Sequence, residues 1–231
     1  MSGNFVQDGR TALMPVKRVV IIANGDLNNH DFYCRLLRED DYLICVNGGT
    51  GHALAMGLSP DLIIGDLDSL ASKDSEKIVA LKPRLIRHPQ AKDKSDLELA
   101  IDQAVDMKPA EILLIGILGG DRADHAFANL LLLCIPHRSG IPARIVDERH
   151  EIMVIGNEAV IEGKPGDYLS LFSLAAETGG VETAGLKFPL KNENLCFSST
   201  RGLSNELILS RATVKIKSGL LLAIKVDRLP G

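Results

Sequence analysis

Two aspartates, Asp66 and Asp68, stand two residues apart in Gly65-Asp66-Leu67-Asp68-Ser69, directly after the apolar run 62–64. In extended backbone, alternate side chains share a side, so both carboxylates can point the same way. A second pair, Asp93 and Asp96, lies in Lys92-Asp93-Lys94-Ser95-Asp96. Taken singly, these groups read as a solvated turn and as helix capping with dipole compensation. Gathered at one edge, four carboxylates repel unless a cation lies among them. Mg²⁺ prefers carboxylate oxygens together with substrate phosphates. Lys92, Lys94 and Arg122 occupy loops of the same kind. The lysines alone read equally as solvated charge, whereas Arg122 offers a bidentate fork for phosphate. Gly119-Gly120 lets backbone amides approach an anion. The helix expected from Asp124, with His125 beside it, presents a positive end there. The constellation points to a magnesium–nucleotide site. The histidines have no zinc-type spacing, and the sequence has no G-x-x-x-x-G-K-[ST] and no G-x-S-x-G, so zinc-site, P-loop and nucleophile-elbow chemistry find no motif.

Such loops need a frame that brings them to one edge. The runs 18–23, 43–46, 62–64, 84–87, 112–115 and 143–146 are apolar and rich in β-branched residues, as in strands buried on both faces. Helical patterns at 31–39, 51–56, 95–107 and 124–134 separate them. The third is the clearest, with Leu97, Ala100, Ile101, Ala104 and Val105 forming a stripe and Ser95 and Glu98 a capping box. Strands alternating with helices predict a parallel, Rossmann-like α/β sheet, with ligands beyond the carboxyl ends of its strands. The loops found there are Asn24-Gly25-Asp26, Asn47-Gly48-Gly49, the two acidic segments, and 119–125.

From about residue 151 the helical period fades. Short strands and turns follow, including an expected hairpin of 213–217 with 220–224 about Ser218-Gly219. The expectation is two domains: residues 1–148, an α/β nucleotide-binding catalytic domain, and residues 149–231, a small all-β sandwich. A chain of 231 residues with 45% hydrophobic residues can bury such cores with only 4% aromatics, so aliphatic side chains must fill them. A net charge of -4 argues against a nucleic-acid partner. The chain has no apolar run long enough for a membrane span and no signal-like start, and residues before Thr11 read as a loose tail. The four cysteines have no C-x-x-C spacing, and three lie in apolar runs and read as small core residues. A cytoplasmic location is expected.

Taken in order, Asn47-Gly48-Gly49, Pro60-Asp61, 65–69, His88-Pro89, 92–98, Gly119-Gly120 with Arg122, Asp124 and His125, Gly185-Leu186-Lys187-Phe188-Pro189-Leu190 and Gly202-Leu203-Ser204-Asn205-Glu206 resemble the thiamine pyrophosphokinase family over residues 19–226. The resemblance implies transfer of a pyrophosphoryl group from ATP to the hydroxyl of thiamine, with AMP leaving. It implies a homodimer whose active sites lie near the subunit interface. By motif, Asp66, Asp68, Asp93 and Asp96 would hold Mg²⁺ and serve catalysis. Asn47, Gly48, Gly49, Lys92, Gly120, Arg122, Asp124 and His125 would bind ATP, and Ser204 and Asn205 thiamine. Asn47 stands where the family commonly has Asp, Ser95 where it has Thr, and Phe188 where Trp or Tyr is frequent. Two rival readings remain open at this point. One is a haloacid-dehalogenase-like phosphate-ester hydrolase, from Asp66-x-Asp68. The other is a non-catalytic binder of thiamine or nucleotide, from Asn47.

Overall fold

The structure, a computed structural model, describes residues 16–65, 78, 80–86 and 93–228. Six strands form a parallel sheet: β1 (Arg18–Ile22), β2 (Asp41–Val46), β3 (Leu62–Ile64), β4 (Arg84–Ile86), β5 (Glu111–Ile115) and β6 (Ala143–Val146), in the order β6-β5-β1-β2-β3-β4. Successive side chains of β1 divide between two cores. Val19 and Ile21 pack with one helix layer, Val20 and Ile22 with the other. The first layer holds α3 (Asp96–Asp106), whose buried stripe is Leu97, Ala100, Ile101 and Ala104. The opposite layer holds α1 (His30–Leu36) and α2 (Gly49–Ala55), which contribute Tyr33 and Ala53. The α3 start follows its sequence signal, since Ser95 Oγ accepts the Glu98 N–H at 3.1 Å.

Helix α1 is shorter than its pattern because Asp41 and Arg18 seize the chain after it. Arg18 Nη2 donates to Leu36 O, and Asp41 accepts the Arg38 N–H. The helix expected at 124–134 divides into α4 (Ala123–Leu131) and α5 (Cys134–Arg138). Of the cysteines only Cys45 is buried, while Cys34 and Cys196 are exposed and Cys134 is partly buried. No helix among the described residues is long and apolar enough to cross a membrane. The expected N-terminal tail lies outside the described residues.

The second half does not start a separate sheet. β7 (His150–Ile155) pairs antiparallel with β6, and β14 (Leu221–Val226), β9 (Tyr168–Ser173) and β12 (Asn205–Glu206) follow outward, making one mixed sheet of ten strands. A second sheet, β11 (Glu193–Cys196), β10 (Glu177–Ala184), β13 (Arg211–Lys215) and β8 (Glu158–Glu162), closes over it. Ile155, Leu171 and Leu221 from the first sheet meet Val181, Ala212 and Val214 from the second in a sandwich core.

The hairpin expected about Ser218-Gly219 is not formed. β13 pairs with β8 and β10, while β14 pairs with β7 and β9. Alternation correctly gives each strand a buried face. Here the two faces look at one another across the core, and Gly219, at φ 88°, carries the chain from sheet to sheet.

Candidate active site

The parallel sheet changes direction between β1 and β5, where the order runs outward to β4 on one side and to β6 on the other. The loops leaving these two strands diverge in this crevice, as expected at a topological switch point. They remain tied by backbone bonds, Gly25 N–H to Gly116 O at 2.7 Å and Asp26 N–H to Leu118 O at 3.0 Å. A side chain on residue 25 would strike Leu118 O at 2.2 Å, so glycine is required where the loops cross.

A cavity of about 520 Å³ opens above the carboxyl ends of β1, β2 and β5. That volume lies within the range of small-molecule sites. Asn24, Asn47, Lys94, Ser95 and Asp96 line one side of it, and Gly119, Gly120, Asp121 and Arg122 another. Arg122, His125, Ala126 and Asn129 follow one another along the cavity-facing side of α4. This is the i, i+3, i+4, i+7 spacing of one helix face. Arg122, Lys94 and His125 are cationic or protonatable. Gly120, at φ 77°, borders open space and offers its backbone at close range.

The charges are partly committed to one another. Arg122 meets Asp124 two-pronged, Nε–Oδ1 at 2.9 Å and Nη2–Oδ2 at 2.6 Å. These bonds hold the Asp124 carboxyl well below the usual carboxylate range and push the Arg122 guanidinium up. Lys94 reaches along α3 to Asp102 at 2.6 Å and Glu98 at 3.3 Å, and these bonds raise its pKa. Asn47 Nδ2 donates to Asp96 Oδ2 at 2.9 Å.

Of the residues expected from sequence, Asn47, Lys94, Asp96, Gly120, Arg122 and His125 meet at this cavity. Asp124 joins them through Arg122. Gly48 and Gly49 form the turn into α2, close against Asn24 and Ile22. Asp93 is exposed and is not among the lining residues. Asp66, Asp68 and Lys92 lie outside the described residues. Among the described residues no three His, Cys, Asp or Glu side chains gather to hold a metal.

Ser204 and Asn205 are elsewhere, on the far edge of the sheet beside β12. Ser204 has φ 53°, and its N–H donates to Ser170 Oγ at 3.0 Å. Asn205 clasps Phe188 through both backbone groups, Nδ2 to its O at 2.7 Å and its N–H to Oδ1 at 3.1 Å. Asn24, Asp121 and Asn129 were not singled out as site residues from sequence. Continuing the helical period from Arg122 would have found Asn129, whose Nδ2 is held by Ile117 O at 3.2 Å.

Fold and cavity together define a class: an α/β protein with a polar ligand cleft at its switch point, its sheet continued into an antiparallel sandwich. Comparison with known proteins narrows this. The profile of the thiamin pyrophosphokinase catalytic domain matches residues 33–145, and that of the thiamin pyrophosphokinase vitamin B1 binding domain residues 149–221. Thiamine pyrophosphokinase of Bacillus subtilis is 31% identical over 212 residues, 91% of this chain and 99% of that one. The crystal structure of thiamine pyrophosphokinase from B. subtilis superposes with a TM-score of 0.84 at 31% identity, covering 92% of this chain and all (100%) of the other. That of thiamin pyrophosphokinase from Geobacillus thermodenitrificans gives 0.79 at 30%, covering 91% and 98%. The chain belongs to the thiamine pyrophosphokinase family. Neither the hydrolase nor the binding-only reading is favoured by these likenesses.

Proposed function

We propose that this chain transfers a pyrophosphoryl group from ATP to the primary hydroxyl of thiamine, giving thiamine pyrophosphate and AMP. One observation carries the reading. In a member of this family, the start of α3, the glycine loop after β5 and one face of α4 converge on a single switch-point cavity. Transfers of this kind need positioning and charge neutralisation more than covalent protein chemistry. Gly120 supplies close backbone approach, while Gly48 and Gly49 serve ATP binding through the tight turn that seats Asn47 at the cavity. Lys92, Arg122, Asp124 and His125 supply charge and hydrogen bonds to the nucleotide. Asp68 or Asp96 accepts the hydroxyl proton.

Mg²⁺ is part of the proposal, and the donors suit it. Asp96 is a carboxylate at the cavity, and Asn47 Oδ1 is a buried carbonyl oxygen without a hydrogen-bond partner. Both are hard oxygens of the type this cation takes. Asp66, Asp68 and Asp93 would complete the set. When bound, Mg²⁺ would neutralise charge developing on the phosphates.

The thiamine end is proposed to come from a second copy. Six strand spacings separate β12 from β1 in the sheet order, roughly 29 Å at about 4.8 Å each. That separation supports Ser204 and the Asn205–Phe188 clasp serving a partner's cavity rather than their own. Helix α4 has no buried residue, and Phe127 and Phe197, both 61% exposed, flank an apolar groove of about 380 Å³ with Phe172 and Leu222. Uncovered apolar surface of this kind supports the reading of an interface. A homodimer seated there would bring each α4 face to its partner. All four cysteines are free, which suits the cytoplasmic location proposed.

Phosphorus NMR of the purified protein with thiamine, ATP and Mg²⁺ tests the reaction. Thiamine pyrophosphate and AMP should appear and should vanish with EDTA. ADP in place of AMP would mean single-phosphoryl transfer and a wrong reaction.

A further inference from the structure

Asn47 follows β2 in left-handed backbone, at φ 48°, a region that Asn and Asp enter more readily than other residues with side chains. Its backbone is held at both ends, the N–H by Ile64 O at 3.0 Å and the carbonyl by the Thr50 N–H at 3.1 Å. Its carboxamide lies against Gly65, where even an added methyl would come within 1.8 Å of Oδ1. So confined, the side chain donates Nδ2 to Asp96 Oδ2 at 2.9 Å. Only the NH₂ end can face a carboxylate, so the chemistry fixes which end is which. Oδ1 then remains buried without a partner, beside the residue that precedes Asp66.

We propose that Asn47 is a positioning residue for Asp96: its amide fixes that carboxylate by a hydrogen bond, where a carboxylate at the same position would need a cation between positions 47 and 96. This deepens, and rests on, the magnesium–nucleotide reading of the cavity. An aspartate at 47 would fit the same backbone but could not donate. Two ionised carboxylates would then stand at hydrogen-bond distance in a partly buried place. They would repel, and the substrate-free protein would draw a divalent cation to relieve the repulsion. The amide thus lowers the negative charge of the site by one relative to an aspartate.

The test compares the wild-type chain, N47D and N47G. Glycine accepts left-handed backbone, so N47G removes the amide without strain. Without substrates, at about pH 8, Mn²⁺ affinity is measured by calorimetry and Tm in EDTA and in Mn²⁺. N47D should bind Mn²⁺ about tenfold more tightly than wild type. Its Tm should fall in EDTA and recover with Mn²⁺. In turnover, N47G should lose about tenfold in kcat while KM for thiamine stays within about twofold. Equal Mn²⁺ affinity in N47D and wild type, an unchanged N47D Tm in EDTA, or wild-type kcat in N47G would each overturn the proposal. A wild type that made no thiamine pyrophosphate would remove the reaction assigned above. The Mn²⁺ and Tm comparisons need no turnover, and would still decide whether the amide substitutes for a cation.

Discussion

Arg122 is held and available at once. Its guanidinium lies along Asp124, yet the two side chains are 68% and 65% exposed, so water already screens the pair and it adds little to stability. A phosphate can take the place of Asp124 at the same fork without breaking a buried bond. Arg122→Ala should therefore raise KM for ATP about tenfold and leave Tm essentially unchanged, as initial rates and thermal unfolding would show. An unaltered KM would mean that the guanidinium never leaves Asp124. The sequence made Arg122 visible as a cation beside Gly119-Gly120, because its residue type and its place after a strand are both local. It could not reveal that Asp124 already occupies the fork. The Asn47–Asp96 bond was hidden more deeply. From sequence Asn47 is an ATP-binding candidate and a missing charge, but not a donor to Asp96, since that carboxylate is 49 residues away and becomes a neighbour only once α3 packs on the sheet.

At the scale of elements, what was legible depended on whether the signal was local. The β-branched run of β1 and the stripe and cap of α3 specify themselves. The pairing of β13 and β14 does not, because a period of two reports a buried face and is silent about which edge a strand joins. Buried polar ties between elements were equally silent. Arg18 and Asp41, with side chains 4% and 1% exposed, staple β1 to β2 through Nε–Oδ1 at 2.7 Å and Nη2–Oδ2 at 2.6 Å. Asp41→Asn would leave that guanidinium uncompensated in the interior. It should cost about 3–5 kcal/mol in urea unfolding, and a loss near that of a surface pair would show that water reaches the site. Tyr33 ties α1 to the loop after β6 by donating to Glu148 Oε2 at 2.9 Å. Burial first, then the bond and charge of Glu148, push its hydroxyl pKa above the ordinary 10.0. Because the folded value is the higher one, this contribution is intact below about pH 10 and is lost as pH rises further. Tyr33→Phe should flatten that alkaline fall in stability while costing about 1 kcal/mol near neutrality, since Glu148 keeps the Asn29 N–H. Unfolding curves at pH 7 and above pH 10 would measure both effects, and an unchanged alkaline slope would clear Tyr33 of any part in it.

For the molecule as a whole, the change of pattern near residue 151 is plain in the sequence, but the continuity across it is not. Ile145 pairs with Ile152, so the sheet passes from parallel to antiparallel without a break. Arg144 bonds Glu111 at 2.9 Å and Glu151 at 2.8 Å across that junction. A sheet carried through the junction in this way resists hinging, and β12 stays at the edge far from its own chain's cavity. If the site is completed by a second copy, inactivity should be shared out between chains in a predictable way. Asp96→Ala disables the nucleotide end, and Asn205→Ala unclasps Phe188 at the other end. Each homodimer should be inactive. In a heterodimer carrying one change on each chain, a two-fold interface makes one site of two intact halves and one of two damaged halves. Purified through two different tags, it should recover about half the wild-type rate per dimer. Phe127→Asp, which charges the apolar groove, should abolish both the recovery and the dimer seen by light scattering, with the circular dichroism spectrum unchanged. A heterodimer as inactive as its parents would mean that each chain builds its site alone, and β12 would have to reach the cavity by a path that the ten-stranded sheet does not offer.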